Sequence, residues 1–280
     1  MSPKSTSSAA FQGELGAFSH AAAQKLLGRK IRALPCQSFR DVFLALASGK
    51  AATAVIPIEN TLHGSVHENY DHLLEFGFHV IGETSLRISH QLIAMPGVRF
   101  RDVHRVFSHS VALNQCQRFF QKHKRIEAVP FYDTAGSVKM LKDEQPPSAA
   151  AIASETASKI YGGIILKRNI EDDPQNFTRF FLLSKQDSSR KNTRGQSKTA
   201  LVFSVANHPG SLFKVLACFA LRDITLTKIE SRPLRGKPWE YMFYVDFLGS
   251  TEDQRTKNAL ANLAELAQFF KILGSYRPTP

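Results

Sequence analysis

The stretch AATAVIPIENTLHGSVHENYDHLLEFG, residues 51–77, places an apolar run, a polar loop and a helix-period segment in immediate succession. AATAVIPIEN is predicted to form a buried strand that runs into a loop. GSVHENYDHLLEFG is predicted to form a helix capped by Ser65, with Glu68 three residues later. A strand, a loop and a helix in this order are the repeating unit of α/β domains.

The same unit recurs between Phe11 and Lys185. SFRDVFLALASG begins with Ser38 as a helix cap and Asp41 three residues later. The strand HRVFSH precedes the helix SVALNQCQRFFQKH, and AAAIAS precedes ETASKIYG. This repetition predicts an α/β domain with a largely parallel sheet, whose ligand sites lie at the carboxyl ends of its strands.

A polar, basic stretch, KQDSSRKNTRGQSK, separates this part from a second pattern. The strands TALVFSVAN, ITLTKIESRPL, WEYMFYVDFLG and FFKILGSY occur with the helix SLFKVLACFALRD and a last helix near residues 252–266. The order βαββαβ in about 80 residues is the ferredoxin-like pattern. We predict a first domain over residues 9–185, a linker over 186–198 and a second domain over 199–276, whose small sheet is suited to pairing with a copy of itself.

The composition excludes several classes of protein. The chain has 280 residues, of which 43% are hydrophobic, and a formal net charge of +12. The charge is scattered, with no basic stripe interleaved with aromatics, so we expect a solvated basic surface and no nucleic-acid binding. Three widely separated cysteines without CxxC spacing indicate neither a disulfide framework nor a zinc site. No apolar run is long enough to span a membrane and no secretory signal is apparent, so we expect a cytoplasmic protein.

Polar residues follow a predicted strand in PIENTLHGS. Glu59, Asn60 and Thr61 stand at the strand end, and Gly64 with Ser65 opens a helix whose free N–H groups favour an anion. A capped loop without a ligand is the alternative. VFSHSVALNQC has the same construction, with Ser108 at a strand end and Gln115 in the following helix. Two such strand ends in one domain predict two walls of one cleft.

Two other chemistries are not favoured. His63, His67 and Asp71 have the i, i+4, i+8 spacing of helical metal ligands, but Gly64 and Ser65 interrupt that face, so we expect no metal. Ser108 and His109 are neighbours on a strand and point to opposite faces, which excludes a nucleophile–base pair.

QNFTRFF, residues 175–181, begins a strand that enters the core at Phe180, with Thr178 and Arg179 at its mouth. An arginine there needs an anionic partner or water. In the second domain, NHPGSLF places Gly210 and Ser211 at a helix start, and KIESRP places Glu230 and Arg232 at a strand end. A helix start for a carboxylate and a Glu for an ammonium fit an amino acid, whereas an ordinary surface ion pair is the alternative.

Taken together, these motifs resemble the prephenate dehydratases, with the plant arogenate dehydratases as near relatives. The matching stretches run in order from FQGELGAFS through AVIPIENTLHGSVHENYDHLL, VFSHSVALNQC, YDTAGSVK and NFTRFF to NHPGSLFKVL and LTKIESRP. The resemblance implies a two-lobed α/β catalytic domain like a periplasmic binding protein, followed by a ferredoxin-like ACT domain. It implies conversion of prephenate into phenylpyruvate, or of arogenate into phenylalanine, without a cofactor or a metal. It also implies regulation by phenylalanine and a homodimer or homotetramer formed through ACT domains.

The resemblance also implies roles for individual residues. The catalytic candidates are Thr178, Glu59, Asn60, Ser108 and Gln115. The candidates for substrate binding are Thr61, Gly64, Ser65, Arg179 and Phe180. The candidates for phenylalanine binding are Gly210, Ser211, Leu212, Glu230, Ser231 and Arg232. If Arg179 faces the cleft, we expect it to hold the pyruvyl carboxylate, because the ring carboxylate loses its charge in the product.

Three positions depart from the family pattern: His20 stands where many members have Glu, and Ser110 and Val111 replace Pro and Gln. These departures leave the finer shape of the cleft open. Substrate preference between prephenate and arogenate is open as well. A non-catalytic amino-acid sensor is an alternative of another class.

Overall fold

The computed structural model describes residues 8–187, 197–234 and 239–279. The chain divides into two compact units, Met1–His72 with Thr84–Phe180 and Leu73–Glu83 with Phe181–Pro280. Most of the predicted linker, residues 186–198, lies outside the described residues.

Strands and helices are interspersed up to residue 184, as the predicted α/β class requires. In chain order they are β1 (Ser8–Gln12), α1 (Phe18–Leu27), β2 (Arg32–Cys36), α2 (Phe39–Ala47), β3 (Thr53–Asn60), β4 (Gly64–Ser65), α3 (His67–Phe76), β5 (His79–Arg87), β6 (Gln91–Ala94), a 3₁₀ turn (Phe100–Asp102), β7 (Arg105–Ser108), α4 (Ser110–Asn114), α5 (Gln117–Lys122), β8 (Glu127–Pro130), α6 (Thr134–Glu144), β9 (Ala149–Ala153), α7 (Glu155–Tyr161), β10 (Ile164–Lys167) and β11 (Phe177–Ser184).

The strands up to residue 184 lie in two sheets. One has the strand order β5-β11-β3-β1-β2, with β4 paired to β3, and the other has the order β10-β6-β9-β7-β8. β1 is parallel to β2 and β3, and β7 is parallel to β8 and β9, but β3–β4, β6–β9 and β6–β10 are antiparallel. The predicted α/β class with two sheets is confirmed. The prediction of a largely parallel sheet is wrong, because both sheets are mixed.

The cap of α2 is the one that the sequence predicts. Ser38 Oγ accepts from the backbone N–H of Asp41 at 3.1 Å, and Asp41 Oδ2 accepts from the backbone N–H of Ser38 at 3.1 Å. This reciprocal pair satisfies two of the backbone donors that a helix start leaves without intrahelical partners.

The predicted start of α3 at Ser65 is wrong, since the helix begins at His67. Asn60 Oδ1 accepts from the backbone N–H groups of Leu62 and His63, both at 3.0 Å, and Gly64 adopts a φ of 75°. This turn folds the chain back, so that Gly64 and Ser65 pair with Asn60 and Glu59 as a short antiparallel strand.

The helix predicted for SVALNQCQRFFQKH is two helices, α4 and α5. The Asp172 carboxylate accepts from the backbone N–H groups of Gln117 at 2.8 Å and Arg118 at 2.9 Å. These bonds start a new helix, so Gln115 lies at the end of α4 rather than inside a continuous helix.

The second unit has a four-stranded sheet of its own. The remaining elements are β12 (Lys198–Ser204), α8 (Ser211–Ala220), β13 (Leu226–Pro233), β14 (Tyr241–Leu248), α9 (Gln254–Leu266), β15 (Phe269–Tyr276) and β16 (Pro278–Thr279), of which β16 is not a strand of that sheet. The antiparallel strand order β13-β14-β12-β15 and the helices α8 and α9 confirm the βαββαβ prediction. The core of this layer includes Phe203, Phe219 and Phe247, and β13 lies at a sheet edge.

Candidate active site

A cavity of about 470 Å³ lies in the first unit, at the carboxyl end of β3. The first turns of α1, α3 and α4 and the starts of α2 and α6 contribute to its wall. Backbone N–H groups at a helix start lack intrahelical partners and attract negative charge. Among the described residues that line the cavity there is no lysine or arginine. To the carboxylate of a ligand, the described part of the wall therefore offers backbone N–H groups and side-chain amide N–H groups, and no lysine or arginine side chain.

Asn60, the last residue of β3, connects that strand to the start of β11. Its Nδ2 donates to Asn176 Oδ1 at 2.7 Å, to Thr178 Oγ1 at 3.0 Å and to the carbonyl of Phe177 at 3.1 Å. Thr178 is 9% exposed and lines the cavity. Because Thr178 Oγ1 accepts from Asn60, its own hydroxyl hydrogen is left to donate to a ligand.

A chain of hydrogen bonds continues from Asn60 across the cavity wall. His63 Nδ1 lies 3.3 Å from Asn60 Oδ1 and 3.2 Å from Gln115 Nε2. Gln115 Oε1 lies 2.7 Å from His90 Nε2. Burial lowers the pKa of His90, so this imidazole is neutral near pH 7 and donates from Nε2 to Gln115.

The structure brings together part of the predicted site. The predicted residues that line the cavity are Asn60, Gly64, Ser65, Gln115, Thr178 and Phe180. The predicted residues that do not line it are Glu59, Thr61, Ser108 and Arg179.

Thr61 and Ser108 hold the backbone near the cavity. Thr61 Oγ1 donates to the carbonyl of Gln175 at 2.9 Å and accepts from the N–H of Phe177 at 3.0 Å, which fixes the loop after β3 to the start of β11. Ser108 is fully buried, and its Oγ donates to the carbonyl of Ile152 at 2.6 Å. Both side chains therefore position strand ends.

Arg179 has its anionic partner inside the protein. Arg179 Nη1 lies 3.8 Å from Glu59 Oε2, and the side chain of Arg179 is 13% exposed. Neighbouring residues of a strand face opposite ways, so with Thr178 at the cavity Arg179 points away from it. The condition under which Arg179 would hold a substrate carboxylate is therefore not met.

Two of the departures from the family pattern lie away from the cavity. His20 is buried, stacks on Phe11 with ring centroids 5.2 Å apart, and accepts the backbone N–H of Gly16 at Nδ1. Ser110 does not line the cavity, whereas Val111 does. The departure at Val111 therefore changes the cavity wall.

Sequence reasoning missed His90 and Asp133, which both line the cavity. Asp133 caps α6 by accepting the backbone N–H of Gly136 at 2.9 Å, and burial raises its pKa. An Asp directly before the helical segment TAGSVK is a visible cap signal. His90 gave no such signal, because its partner Gln115 is 25 residues away in the chain.

A second cavity, of about 240 Å³, lies in the second unit at the start of α8. Gly210, Ser211 and Leu212 line it, and Gly210 caps the helix with a φ of 80°. The other predicted effector residues, Glu230, Ser231 and Arg232, lie on β13 and do not line this cavity.

Within the described ranges, no group of three or more His, Cys, Asp or Glu side chains is arranged to hold a metal ion. None of the helices described is both long and apolar enough to cross a membrane.

A model of the prephenate dehydratase family matches residues 9–188, about two thirds of the chain. The chain belongs to the prephenate dehydratase family. A model of the ACT domain matches residues 199–265. The chain is thus a prephenate or arogenate dehydratase, a carbon–oxygen lyase, with a C-terminal ACT domain. This membership speaks against the alternative of a non-catalytic sensor.

Two similar dehydratases come from plants. Arogenate dehydratase/prephenate dehydratase 2, chloroplastic, of Arabidopsis thaliana is 46% identical over 277 residues, which cover 95% of this chain and 72% of the relative. Arogenate dehydratase 2 of Petunia hybrida is 44% identical, with 95% and 71% covered.

Two solved structures are similar over nearly the whole chain. Prephenate dehydratase from Arthrobacter aurescens in complex with L-Phe has a TM-score of 0.86 at 31% identity and covers 96% of this chain and 89% of its own. GqqA, described as a novel type of quorum quenching acylase, has a TM-score of 0.88 at 32% identity and covers 98% of both chains.

Proposed function

We propose that this dehydratase removes water and carbon dioxide from prephenate to form phenylpyruvate in phenylalanine biosynthesis. The observation that carries this proposal is the Thr178 hydroxyl, which lines the cavity and is oriented by the Asn60 amide. The family membership supplies the reaction, and the cavity supplies a hydrogen-bond donor for the departing hydroxyl.

The charges of the reaction fit this cavity. Prephenate has two carboxylates, and its ring carboxylate leaves as neutral carbon dioxide. A cation held against that carboxylate would stabilise the substrate more than the transition state and would slow the reaction. A cavity lined by helix starts, without lysine or arginine among its described residues, holds anions without such a cation.

The direct test is to incubate the purified chain with prephenate and to follow phenylpyruvate by its absorbance. Turnover that requires the folded chain supports the proposal. A folded chain that releases neither phenylpyruvate from prephenate nor phenylalanine from arogenate would refute it.

Arogenate is a second candidate substrate, and two observations favour it. The relatives from Arabidopsis thaliana and Petunia hybrida carry arogenate in their names. Two carboxyl groups, Glu68 and Asp133, line the cavity, and arogenate has an ammonium group where prephenate has a ketone. Measuring kcat/KM for both substrates with one preparation decides between them.

If arogenate is the substrate, Glu68→Gln should lower kcat/KM for arogenate by about fivefold, because the exposed Glu68 carboxylate would attract the ammonium through water-screened charge. Turnover of prephenate should stay within about twofold of the unmodified chain. Asp71→Asn removes a carboxylate from the same helix outside the cavity wall and serves as the control. Equal losses for both substrates would contradict a role in ammonium binding.

Acyl hydrolysis of the kind named for the similar acylase is not proposed. A threonine nucleophile needs a neighbouring base to take its proton. In the described part of the chain, the side-chain partner of Thr178 Oγ1 is the Asn60 amide, which donates and does not accept at that contact.

We further propose that phenylalanine binds the ACT domain at Gly210–Leu212 and at Glu230–Arg232 and regulates turnover. The cavity at the start of α8 supports the first half of this site. β13 lies at a sheet edge, and pairing of two such edges in a homodimer or homotetramer would bring the second half of the site from a copy. The relative from Arthrobacter aurescens was solved with L-Phe.

Glu230→Ala should raise the phenylalanine concentration that gives half-maximal inhibition by about tenfold or more, since a charge-assisted hydrogen bond to the ammonium would be lost. Glu230 is half-buried beside Lys228 at 3.6 Å. Glu252→Gln removes an exposed carboxylate from the same unit and should leave inhibition unchanged. Inhibition by phenylalanine that is identical in Glu230→Ala and the unmodified chain would show that this effector site is wrong.

We also propose the domain limits 9–185 and 199–276, a linker between these two domains, and a cytoplasmic location.

A further inference from the structure

His90 lies between β5 and β6, lines the cavity and is 2% exposed. Its Nε2 is 2.7 Å from Gln115 Oε1. Its other ring nitrogen, Nδ1, is buried and has no hydrogen-bond partner in the part of the chain that the structure describes. Because burial lowers the pKa of His90, the imidazole is neutral near pH 7 and has a single N–H. A hydrogen on Nδ1 would be a buried donor without an acceptor, so the hydrogen lies on Nε2, where Gln115 Oε1 accepts it.

Three consecutive residues of the segment before β11 hold the backbones of both partners. The N–H of Ile170 donates to the carbonyl of His90 at 2.9 Å. The carboxylate of Glu171 accepts from the backbone N–H of His90, also at 2.9 Å. The N–H of Asp172 donates to the carbonyl of Gln115 at 2.7 Å. The backbone therefore fixes the two residues beside each other, independently of the bond between their side chains.

The bond from His90 decides which atoms of the Gln115 amide face the cavity. In a glutamine amide the oxygen accepts, and the nitrogen donates through two hydrogens. With Oε1 held by His90, one hydrogen of Gln115 Nε2 can bond His63 Nδ1, 3.2 Å away, and the second is left for a ligand. If the amide were turned over, its oxygen would face the cavity and would repel a carboxylate.

The direction of this amide matters because of the charge of the cavity wall. Among the described residues of the wall there is no lysine or arginine. An anionic substrate is then held by neutral donors, and the direction of each dipole decides whether the substrate is attracted or repelled. A donor that is fixed before the substrate arrives does not have to be reoriented during the reaction.

We propose that His90 is a positioning residue of this enzyme, which holds the Gln115 amide with its N–H toward the substrate by donating to Gln115 Oε1. The inference rests on the proposed dehydratase function. In this role His90 acts on turnover through Gln115. Its effect should therefore disappear once the Gln115 amide is absent.

The test is a double-mutant cycle in which kcat/KM is measured on the substrate that the unmodified chain prefers. Gln115→Met should lower kcat/KM by about 50-fold, the size expected for a lost hydrogen bond to a charged group. His90→Met removes the N–H and should lower kcat/KM by about tenfold, because the amide can then turn over. The double variant His90→Met/Gln115→Met should match Gln115→Met within about twofold. His90→Gln offers an amide N–H to Gln115 Oε1 again and should stay within about threefold of the unmodified chain.

His20→Met is the matched control. His20 is another buried histidine of the first unit, its hydrogen bond is to the backbone N–H of Gly16 and not to Gln115, and it does not line the cavity. Its replacement should lower the free energy of unfolding. Any effect of His20→Met on kcat/KM should add to that of Gln115→Met in the corresponding double variant.

The tautomer is a check that does not depend on a substitution at His90 folding well. NMR of the unmodified chain with labelled histidine should show His90 protonated at Nε2 and bare at Nδ1. The signals of His90 are identified by their loss in His90→Gln. A proton on Nδ1 would turn the Gln115 amide the other way and would overturn the proposal.

The kinetic outcomes are equally decisive. Additive losses in His90→Met/Gln115→Met would mean that His90 acts independently of Gln115, which overturns the proposal. A folded His90→Met with normal kcat/KM, a His90→Gln as impaired as His90→Met, or a Gln115→Met with normal kcat/KM also overturns it. If the unmodified chain turns over neither prephenate nor arogenate, the proposed function fails first, and this inference fails with it.

Discussion

Thr178→Ala should lower kcat by about 100-fold or more on the substrate that the unmodified chain prefers, because the leaving hydroxyl loses its positioned donor. Thr178 lines the cavity, and the 3.0 Å bond from Asn60 Nδ2 leaves the Thr178 hydroxyl hydrogen for the ligand. KM should change much less than kcat, since this hydrogen bond strengthens as negative charge develops on the departing oxygen.

Two further substitutions separate the hydroxyl from the shape of the side chain. Thr178→Ser keeps the hydroxyl and should retain kcat within about tenfold, whereas Thr178→Val keeps the shape and should behave like Thr178→Ala. Circular dichroism and gel filtration establish that the variants are folded and assembled as the unmodified chain is. Near-normal turnover by a folded Thr178→Val variant would remove Thr178 from the mechanism.

Local patterns in the sequence were sufficient for features that depend on neighbouring residues. The reciprocal cap of Ser38 and Asp41 and the βαββαβ order both follow from spacing within one segment. Asn60 and Thr178 were assigned to one site by the resemblance to the dehydratases, not by a local pattern, and the structure joins them at 3.0 Å although 118 positions separate them.

The failures arise where distant groups compete with local signals. The Ser65 cap was displaced because the turn at Asn60 pairs Ser65 with Glu59. The predicted continuous helix through Gln115 was divided because Asp172, far along the chain, caps a second one. Such contacts depend on tertiary packing, which a local pattern does not encode.

The prediction of a role for Arg179 is limited by the same dependence on tertiary packing. The sequence indicated that this arginine needs an anion, and the motifs offered the substrate as one. The structure supplies Glu59 instead, because alternation along β11 turns Arg179 away from the side that Thr178 faces. Which face a strand residue takes depends on the register of the whole sheet.

Lys198→Met should destabilise the fold by about 3–5 kcal/mol, because it removes a cation that contacts a buried carboxylate. In the second unit, Lys198 Nζ lies 3.0 Å and 3.3 Å from the two oxygens of Glu83. The Lys198 and Glu83 side chains are only 11% and 9% exposed, and Tyr276 donates its hydroxyl to Glu83 Oε2 at 3.2 Å. The charge on Glu83 is thus poorly reached by water, and Lys198 is a cation in contact with both of its oxygens.

The double variant Glu83→Gln/Lys198→Met tests this cause. It removes both charges and should lie within about 1–2 kcal/mol of the unmodified chain, since an uncharged pair has no desolvation cost of ions. Lys257→Met breaks the exposed pair with Glu252 and should change stability little. Urea unfolding at one fixed protein concentration measures all four chains. If Lys198→Met and the double variant are destabilised equally, the lost aliphatic packing of Lys198, rather than the charge left on Glu83, accounts for the effect.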